Sequence, residues 1–114
     1  MGQGNLEGGS LKDMFMKNIK LRSRTETLAA GLTLVADDPP LQFLNNGGAV
    51  RTVVLPAEAL SDGLVFIITN SGGGAFAITI NDDTPALVAS LLQNESAICF
   101  CDGTSWFGLV GTST

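Results

Sequence analysis

The two cysteines of the chain lie two residues apart, in the stretch ICFCDGTSWFG that runs from Ile98 to Gly108 and holds the only tryptophan. Paired thiolates beside an aromatic side chain could bind a metal ion or carry out disulfide chemistry. A structural zinc site needs four ligands, however, and the chain has no histidine and no third cysteine. Only carboxylates or other subunits could complete such a site. In a strand, Cys99 and Cys101 would lie about 6.5 to 7 Å apart, near the limit for a disulfide.

A β-hairpin accounts for the same residues without any chemistry. Ala97, Cys99 and Cys101 would line one face of a strand, where cysteine behaves as a small apolar residue. Asp102-Gly103 is a typical signal for a tight turn, and Trp106 would then lie on the returning strand. The sequence therefore predicts unpaired thiols in the last hairpin of a small β-protein.

Carboxylates are the other residues that could do chemistry. General acid–base catalysis needs one carboxyl group in apolar surroundings that raise its pKa, whereas the candidate pairs lie among Pro, Gly, Ser and Thr. The pairs are Asp37-Asp38, Glu58 with Asp62, and Asp82-Asp83. Asp82-Asp83 could bind Ca²⁺ weakly, but the ligand spacing of a calcium loop is absent. No Ser-His or Cys-His pair is possible without histidine. We therefore expect no catalytic residues, no cofactor and no metal.

Composition favours a small domain that buries apolar surface against other chains. The chain has 114 residues, of which 45% are apolar, only 15% are charged and 14 are glycine. This is a high apolar content for a monomer with room for one modest core. No apolar run approaches the length of a membrane span, and the first 13 residues contain no apolar region typical of a secretory signal. We expect neither a membrane partner nor export by that route.

Charge divides the chain into a basic arm, residues 1–27, and an acidic domain, residues 28–114. Residues 1–25 hold five basic and two acidic residues, a balance of +3, and residues 26–114 hold one basic and nine acidic residues, a balance of −8. Such an asymmetry is typical of a tail that contacts an oppositely charged partner, although a solvated terminus is the alternative. Leu11, Phe15 and Ile19 recur at a helical spacing, so residues 11–21 are predicted to be extended or a short amphipathic helix. The predicted partner-binding residues of the arm are Leu11, Lys12, Met14, Phe15, Lys17, Ile19, Lys20, Leu21, Arg22 and Arg24.

From residue 28 onward the pattern predicts an all-β fold. Short apolar segments recur every 10 to 12 residues and are separated by turn residues such as Asn45-Asn46-Gly47-Gly48. Ser71–Gly74 is predicted to close a hairpin, and the segment LVFIITN before it is apolar on both faces, which indicates full burial. This spacing favours a small antiparallel β-sandwich or barrel.

The turns and core positions of residues 28–111 follow a distinctive order. A Thr-x-x-Leu-Pro strand end precedes a glycine and an aromatic-containing strand that ends in Asn. An alternating strand, a Glu-Ser pair before an apolar strand, and an Asp-Gly-Thr-x-Trp turn then follow. The residues are Thr52, Leu55, Pro56, Gly63, Phe66, Asn70, Glu95, Ser96, Asp102, Gly103, Thr104 and Trp106. This pattern resembles a module of tailed-bacteriophage virion proteins, which occurs in capsid decoration (cement) proteins and in tail or head fibres.

The resemblance implies a non-enzymatic decoration protein that binds and stabilises the capsid shell as an oligomer. By analogy, a homotrimer is expected, with the major capsid protein as partner and no nucleic acid. The expected location is the capsid surface of the virion, after synthesis in the host cytoplasm. One short module with an arm favours decoration over a fibre, because no internal repeat is present. A tail- or head-fibre module or adaptor is the alternative, and a small carbohydrate-binding module is the second alternative.

Overall fold

Nine β-strands and one short 3-10 helix make up the regular structure of residues 19–112, which are the residues that the computed structural model describes. The strands are β1 (Ser23–Thr27), β2 (Leu32–Thr33), β3 (Leu41–Asn45), β4 (Arg51–Val54), β5 (Val65–Asn70), β6 (Ile78–Asn81), β7 (Leu87–Leu91), β8 (Glu95–Cys101) and β9 (Trp106–Thr112). The 3-10 helix spans Glu58–Leu60, between β4 and β5. Within residues 19–112, no helix has the length and apolar character needed to cross a bilayer.

The strands form two sheets in which parallel and antiparallel pairs are mixed. The five-stranded sheet has the order β9-β8-β5-β3-β1, and the four-stranded sheet has the order β2-β4-β6-β7. From β1 to β6 the chain alternates between the sheets, so that neighbours within each sheet are parallel. Strands β7, β8 and β9 then pair antiparallel with their neighbours. The prediction of an all-β domain is confirmed, and the prediction of antiparallel sheets is wrong, because most short connections cross between sheets instead of closing hairpins.

Two local predictions are corrected for related reasons. Ser71–Gly74 does not close a hairpin, because it belongs to the connection between β5 and β6, which lie in different sheets. The segment LVFIITN is not buried on both faces. Its strand β5 alternates, with Phe66 and Ile68 fully buried and Val65 40% exposed on the opposite face. Apolar residues on both faces of this strand therefore mark an exposed apolar surface and not a central core strand.

One core lies between the inner faces of the two sheets. Its fully buried members from the five-stranded sheet are Leu44, Phe66, Ile68, Ala97 and Cys99, and those from the four-stranded sheet are Val53, Ile78, Ile80 and Leu91. Trp106 covers one end of this core: its ring centroid lies 6.2 Å from that of Phe66, and its Nε1 donates to the carbonyl oxygen of Pro56 at 2.9 Å. This hydrogen bond satisfies the polar end of a side chain that is otherwise buried.

A buried network of asparagine side chains fixes three connections at the other end of the core. The Asn70 amide donates to the carbonyl oxygens of Phe76 and Leu91, at 3.1 and 3.0 Å, and its Oδ1 accepts from the backbone N–H of Gly72 at 3.0 Å. The Asn46 amide donates to the same Oδ1 at 3.3 Å. All four hydrogen-bonding positions of the Asn70 amide are thus occupied, as a fully buried side chain requires.

The connections at the two ends of the domain differ sharply in charge. Seven of the nine acidic residues of residues 26–114 lie at the end where β2, β4, β6 and β8 finish, which we call the acidic end. Its connections are residues 34–40, 55–64, 82–86 and 102–105. The connections at the opposite end are residues 28–31, 46–50, 71–77 and 92–94, and they contain no charged residue. The acidic character of the domain is therefore concentrated at one end and is not spread over its sheet faces.

The chain enters the domain at the acidic end. Residues 23–27, which the sequence analysis places in the arm, form edge strand β1, paired parallel with β3. Arg24 forms an ion pair of 2.9 Å with Asp38, and Arg22 donates to the backbone oxygen of Asp37. Residues 11–18 of the segment predicted to be extended or a short helix lie outside the described residues, and residues 19–21 are not helical.

Candidate functional site

The outer face of the five-stranded sheet carries a continuous set of large apolar side chains, which we call the apolar face. Its members alternate with core residues along β3, β5, β8 and β9. They are Leu41, Phe43, Val65, Ile67, Ile98, Phe100, Phe107 and Leu109. Strand pairing aligns Phe107 with Phe100, and it aligns Leu109 with Ile98 and Ile67. The rings of Phe100 and Phe107 stack with centroids 5.6 Å apart.

No charged residue occupies an outward position of this sheet. The remaining outward positions are filled by small or neutral residues: Ser23, Thr25, Thr27, Asn45, Thr69, Ser96 and Gly111. The hydroxyls of Thr69 and Ser96 hydrogen-bond each other at 2.7 Å, so part of this polar border is already satisfied. A sheet face that contacted only water would be expected to alternate apolar core residues with polar and charged outward residues. The apolar face departs from that pattern.

The exposed area of the apolar face is large for a chain of this size. The side chains of Phe43, Phe100 and Phe107 are 40%, 37% and 46% exposed, and Leu109 is 63% exposed. At about 200 Å² for each aromatic side chain, the three phenylalanines alone leave about 250 Å² of apolar surface in water. The aliphatic members extend this to the few hundred Å² at which an apolar patch marks an interaction site.

A cleft of about 430 Å³ opens on the apolar face near the end of β9. Ile67, Ile98 and Leu109 form its apolar floor and wall, and Ser96 and the backbone around Gly111 form its border. None of the residues that line it is charged or could act as an acid, base or metal ligand. The cleft can therefore accept an apolar side chain but offers no catalytic chemistry.

The outer face of the four-stranded sheet provides an internal comparison. Its outward positions are mostly hydroxyl side chains, Thr33, Thr52, Thr79 and Ser90, with Val54 and the exposed Leu87 as apolar members. The hydroxyls of Thr52 and Thr79 lie 3.1 Å apart. Hydroxyls exchange hydrogen bonds with water readily, so this face is compatible with permanent exposure. The outer face of the five-stranded sheet is therefore apolar and that of the four-stranded sheet is mainly hydroxylated, and packing of the core between the sheets does not require this difference.

The structure brings together carboxylates that the sequence analysis considered separately. Oxygens of Glu58, Asp82 and Asp83 all lie within 4.8 Å of one another at the acidic end, whereas Asp62 lies beside Gly103. A backbone hydrogen bond at Glu58 lowers the pKa of that group, but partial desolvation and the hydrogen bond and negative charge of Asp83 outweigh it, and the pKa is raised. Such an oxygen cluster has the hard ligands that Ca²⁺ prefers. Asp83 is exposed and the other two are partly buried, and exposed acidic groups are common without an ion.

Asp82 has a clear structural role in that cluster. One of its carboxylate oxygens accepts from the hydroxyl and the backbone N–H of Thr84 and from the backbone N–H of Ala86. These hydrogen bonds lower the pKa of Asp82 and hold the turn between β6 and β7. The side chain therefore acts as a turn cap.

The cysteines lie where the hairpin interpretation predicts. Cys99 and Cys101 are free and buried on the inner face of β8, beside Ala97. Burial raises the pKa of the Cys99 thiol to about 12, which keeps it protonated and unreactive near neutral pH. The turn that follows is capped by Asp102, which accepts from the backbone N–H groups of Thr104 and Ser105 at 2.8 Å each. Those two N–H groups lower the pKa of Asp102.

The predicted partner-binding residues of the arm are only partly described. Leu11, Lys12, Met14, Phe15 and Lys17 lie outside the described residues. Ile19 and Leu21 are 58% and 47% exposed, and Lys20 between them is also exposed. Arg22 and Arg24 contact the domain, as described above, so they fix the point at which the arm joins it. The described arm residues Ile19, Lys20 and Leu21 precede β1 and are not members of the apolar face.

Residues of the phage-like pattern mostly build the fold. Asn70 organises the buried network, Trp106 caps the core, and Gly63 and Gly103 have φ of 79° and 92°, which only glycine adopts without strain. Sequence reasoning missed the apolar face because apolar residues on both sides of a strand were interpreted as full burial. The signal was present in the WFGLV segment, where Phe107 and Leu109 alternate with the inward Trp106. Comparison of the chain with protein-family models, curated proteins and solved structures finds no match.

Proposed function

We propose that the protein is a non-enzymatic structural component of a tailed-phage virion that binds the capsid shell as a decoration protein. The observation that carries the proposal is the apolar face, a large uncharged surface suited to the contacts between chains that an oligomeric decoration protein makes. The phage-like pattern supports it as an analogy of sequence, because its residues form the turns and core contacts of the domain. A fold can host many functions, so the pattern by itself supports the setting more than the role.

The apolar lining of the cleft and the burial of the cysteines support a structural role. The cleft on the apolar face is lined by aliphatic and small residues, and the buried thiol of Cys99 is held protonated. The carboxylates at the acidic end serve partly as turn caps. The apolar face is therefore distinguished by its shape and low polarity, which are properties on which protein–protein contacts depend.

The arm supplies the second part of the proposal, a clamp on the shell. Ile19 and Leu21 expose apolar side chains on either side of Lys20 at the start of the described residues. Each would contribute about 1.5 to 3 kcal/mol if fully buried against a partner. Exposed ion pairs contribute less and are screened by salt. Because Arg22 and Arg24 contact the domain, we assign the clamp to residues 1–21 and propose that its apolar residues dominate.

Co-sedimentation with undecorated capsids tests both parts. The full chain should sediment with the shells in low and high salt. The double variant Ile19→Ser/Leu21→Ser should bind at least about tenfold more weakly, because each 1.4 kcal/mol lost is a factor of ten. Lys20→Gln is the matched control between the same two positions and should lose little affinity. An equal loss in both variants would contradict an apolar clamp. Failure of the full chain to bind shells, with binding to tails instead, would favour the fibre alternative.

A further inference from the structure

We propose that the apolar face is the surface through which copies of this chain contact one another. This inference deepens the oligomeric part of the proposed function and rests on it for the expected number of copies, which is three. The occupant of the face is a second copy of the chain, and the capsid protein is reserved for the arm. Three features of the described residues support this choice.

The first feature is the distribution of charge. Residues 26–114 carry a balance of −8, so two copies repel each other where their acidic ends approach. Seven of the nine acidic residues lie in connections at the acidic end, and none occupies an outward position of the five-stranded sheet. The apolar face is therefore a place where two like-charged copies can approach without burying a carboxylate. Burial of an unpaired carboxylate would oppose association strongly.

The second feature is area. A stable protein–protein interface buries about 800 Å² on each partner. The apolar face extends over four strands and about five residues along each. With strands about 4.8 Å apart and residues about 3.3 Å apart, this gives a flat footprint of about 250 Å². Its accessible surface is larger because the side chains project from it. An interface of about 800 Å² would therefore have to include the polar border on the same face, with residues such as Thr69 and Ser96.

The third feature is self-complementarity of shape. The cleft beside Ile98 and Leu109 has a volume of about 430 Å³, which is ample for one large side chain. Phe43 projects from β3, on the side of the same face away from the cleft, and is 40% exposed. A second copy can place its Phe43 ring into this cleft. Each copy of the chain therefore carries both the projecting ring and the cleft that binds it. Contacts of this kind build a ring of identical subunits when the rotation between the subunits closes the assembly.

Molar mass in solution tests the proposal with the full chain and no capsids present. At about 50 µM, above a micromolar dissociation constant, the wild-type chain should have a mass of three times 11.8 kDa. Leu109→Glu places a charge on an exposed position of the apolar face and should give 11.8 kDa, with a dissociation constant raised at least about 100-fold. Ser90→Glu introduces the same carboxylate at an exposed strand position of the other sheet and should leave the oligomer intact. Circular dichroism should show the same β spectrum for all three.

Three results would overturn the proposal. They are a monomeric wild-type chain at this concentration, an unchanged oligomer in Leu109→Glu, and equal disruption by Ser90→Glu. If Leu109→Glu also fails to fold, Phe43→Ser provides a second test, because the exposed ring is replaced by a small side chain without a charge. It should weaken association while the β spectrum is retained, and an unchanged oligomer would count against the proposal. The molar-mass measurement contains no shells, so a negative result does not bear on capsid binding by the arm. The co-sedimentation experiment tests that binding separately.

Discussion

Replacement of Asn70 by alanine should destabilise the domain more than any other single deletion of a polar side chain among residues 19–112. The Asn70 amide makes four hydrogen bonds, two as donor and two as acceptor, and its side chain is fully buried. At about 1 kcal/mol for each, their loss lowers the free energy of unfolding by about 4 kcal/mol. Phe76 keeps a partner because Asn46 also donates to its carbonyl oxygen, but the buried N–H of Gly72 loses the Asn70 acceptor.

Urea unfolding followed by circular dichroism measures this loss, at one protein concentration because association contributes to stability. Asn45→Ala is the matched control: the Asn45 side chain accepts one hydrogen bond, from the N–H of Gly47 at 2.9 Å, in an exposed turn. We expect that variant to lose about 1 kcal/mol or less. The dependence of unfolding on urea should be unchanged in both. If Asn70→Ala lies within 1 kcal/mol of the control, the network does not hold the three connections together as described.

Two further predictions concern stability. Gly72→Ala should lower the free energy of unfolding by about 1–3 kcal/mol through overpacking, because a Cβ at that position would lie 2.6 Å from the backbone nitrogen of Asn46. Gly73→Ala is the control and should be nearly neutral in the same urea assay, because its Cβ would lie no nearer than 3.9 Å to any neighbour. The Cys99 thiol should make the wild-type chain less stable at high pH. Its pKa is about 12 in the folded state and 9.0 ordinarily, so above pH 9 the unfolded chain releases a proton that the folded chain retains, and unfolding becomes favoured. The free energy of unfolding should therefore fall by up to about 1.4 kcal/mol per pH unit between pH 9 and 12, relative to Cys99→Ala. If the free energy of unfolding depends on pH in the same way in both proteins, the thiol is not buried as described.

Much of the local structure could be predicted from the sequence, because the turns depend on chemistry within a few residues. The Asp102-Gly103 turn follows from a side chain that caps its own backbone, and the placing of both free cysteines on one strand face follows from the alternation of side chains along a strand. The direction of strand pairing could not be predicted in the same way. A connection such as Ser71–Gly74 has the residues of a hairpin, but whether it pairs β5 with β6 or carries the chain to the other sheet depends on contacts far along the sequence.

The candidate surface was harder to predict for a different reason. Apolar residues on both faces of β5, β8 and β9 indicate either a core strand or an exposed interface, and a single sequence does not distinguish the two. The pairing of β9 with β8 and of β8 with β5 places Leu109, Ile98 and Ile67 in one outward row. This pairing shows that the second apolar face is a surface and not part of the core. The convergence of Glu58 with Asp82 and Asp83 likewise depends on two connections more than 20 residues apart.

The location of the protein on virus particles tests the central claim most directly. Electron cryo-microscopy of virions that incorporate the chain should show density for the β-domain on the outer surface of the capsid, in groups of copies that contact one another through the five-stranded sheet. Density for residues 1–21 should run from each group onto the shell. Density confined to the tail or its fibres, with none on the capsid, would contradict the decoration function.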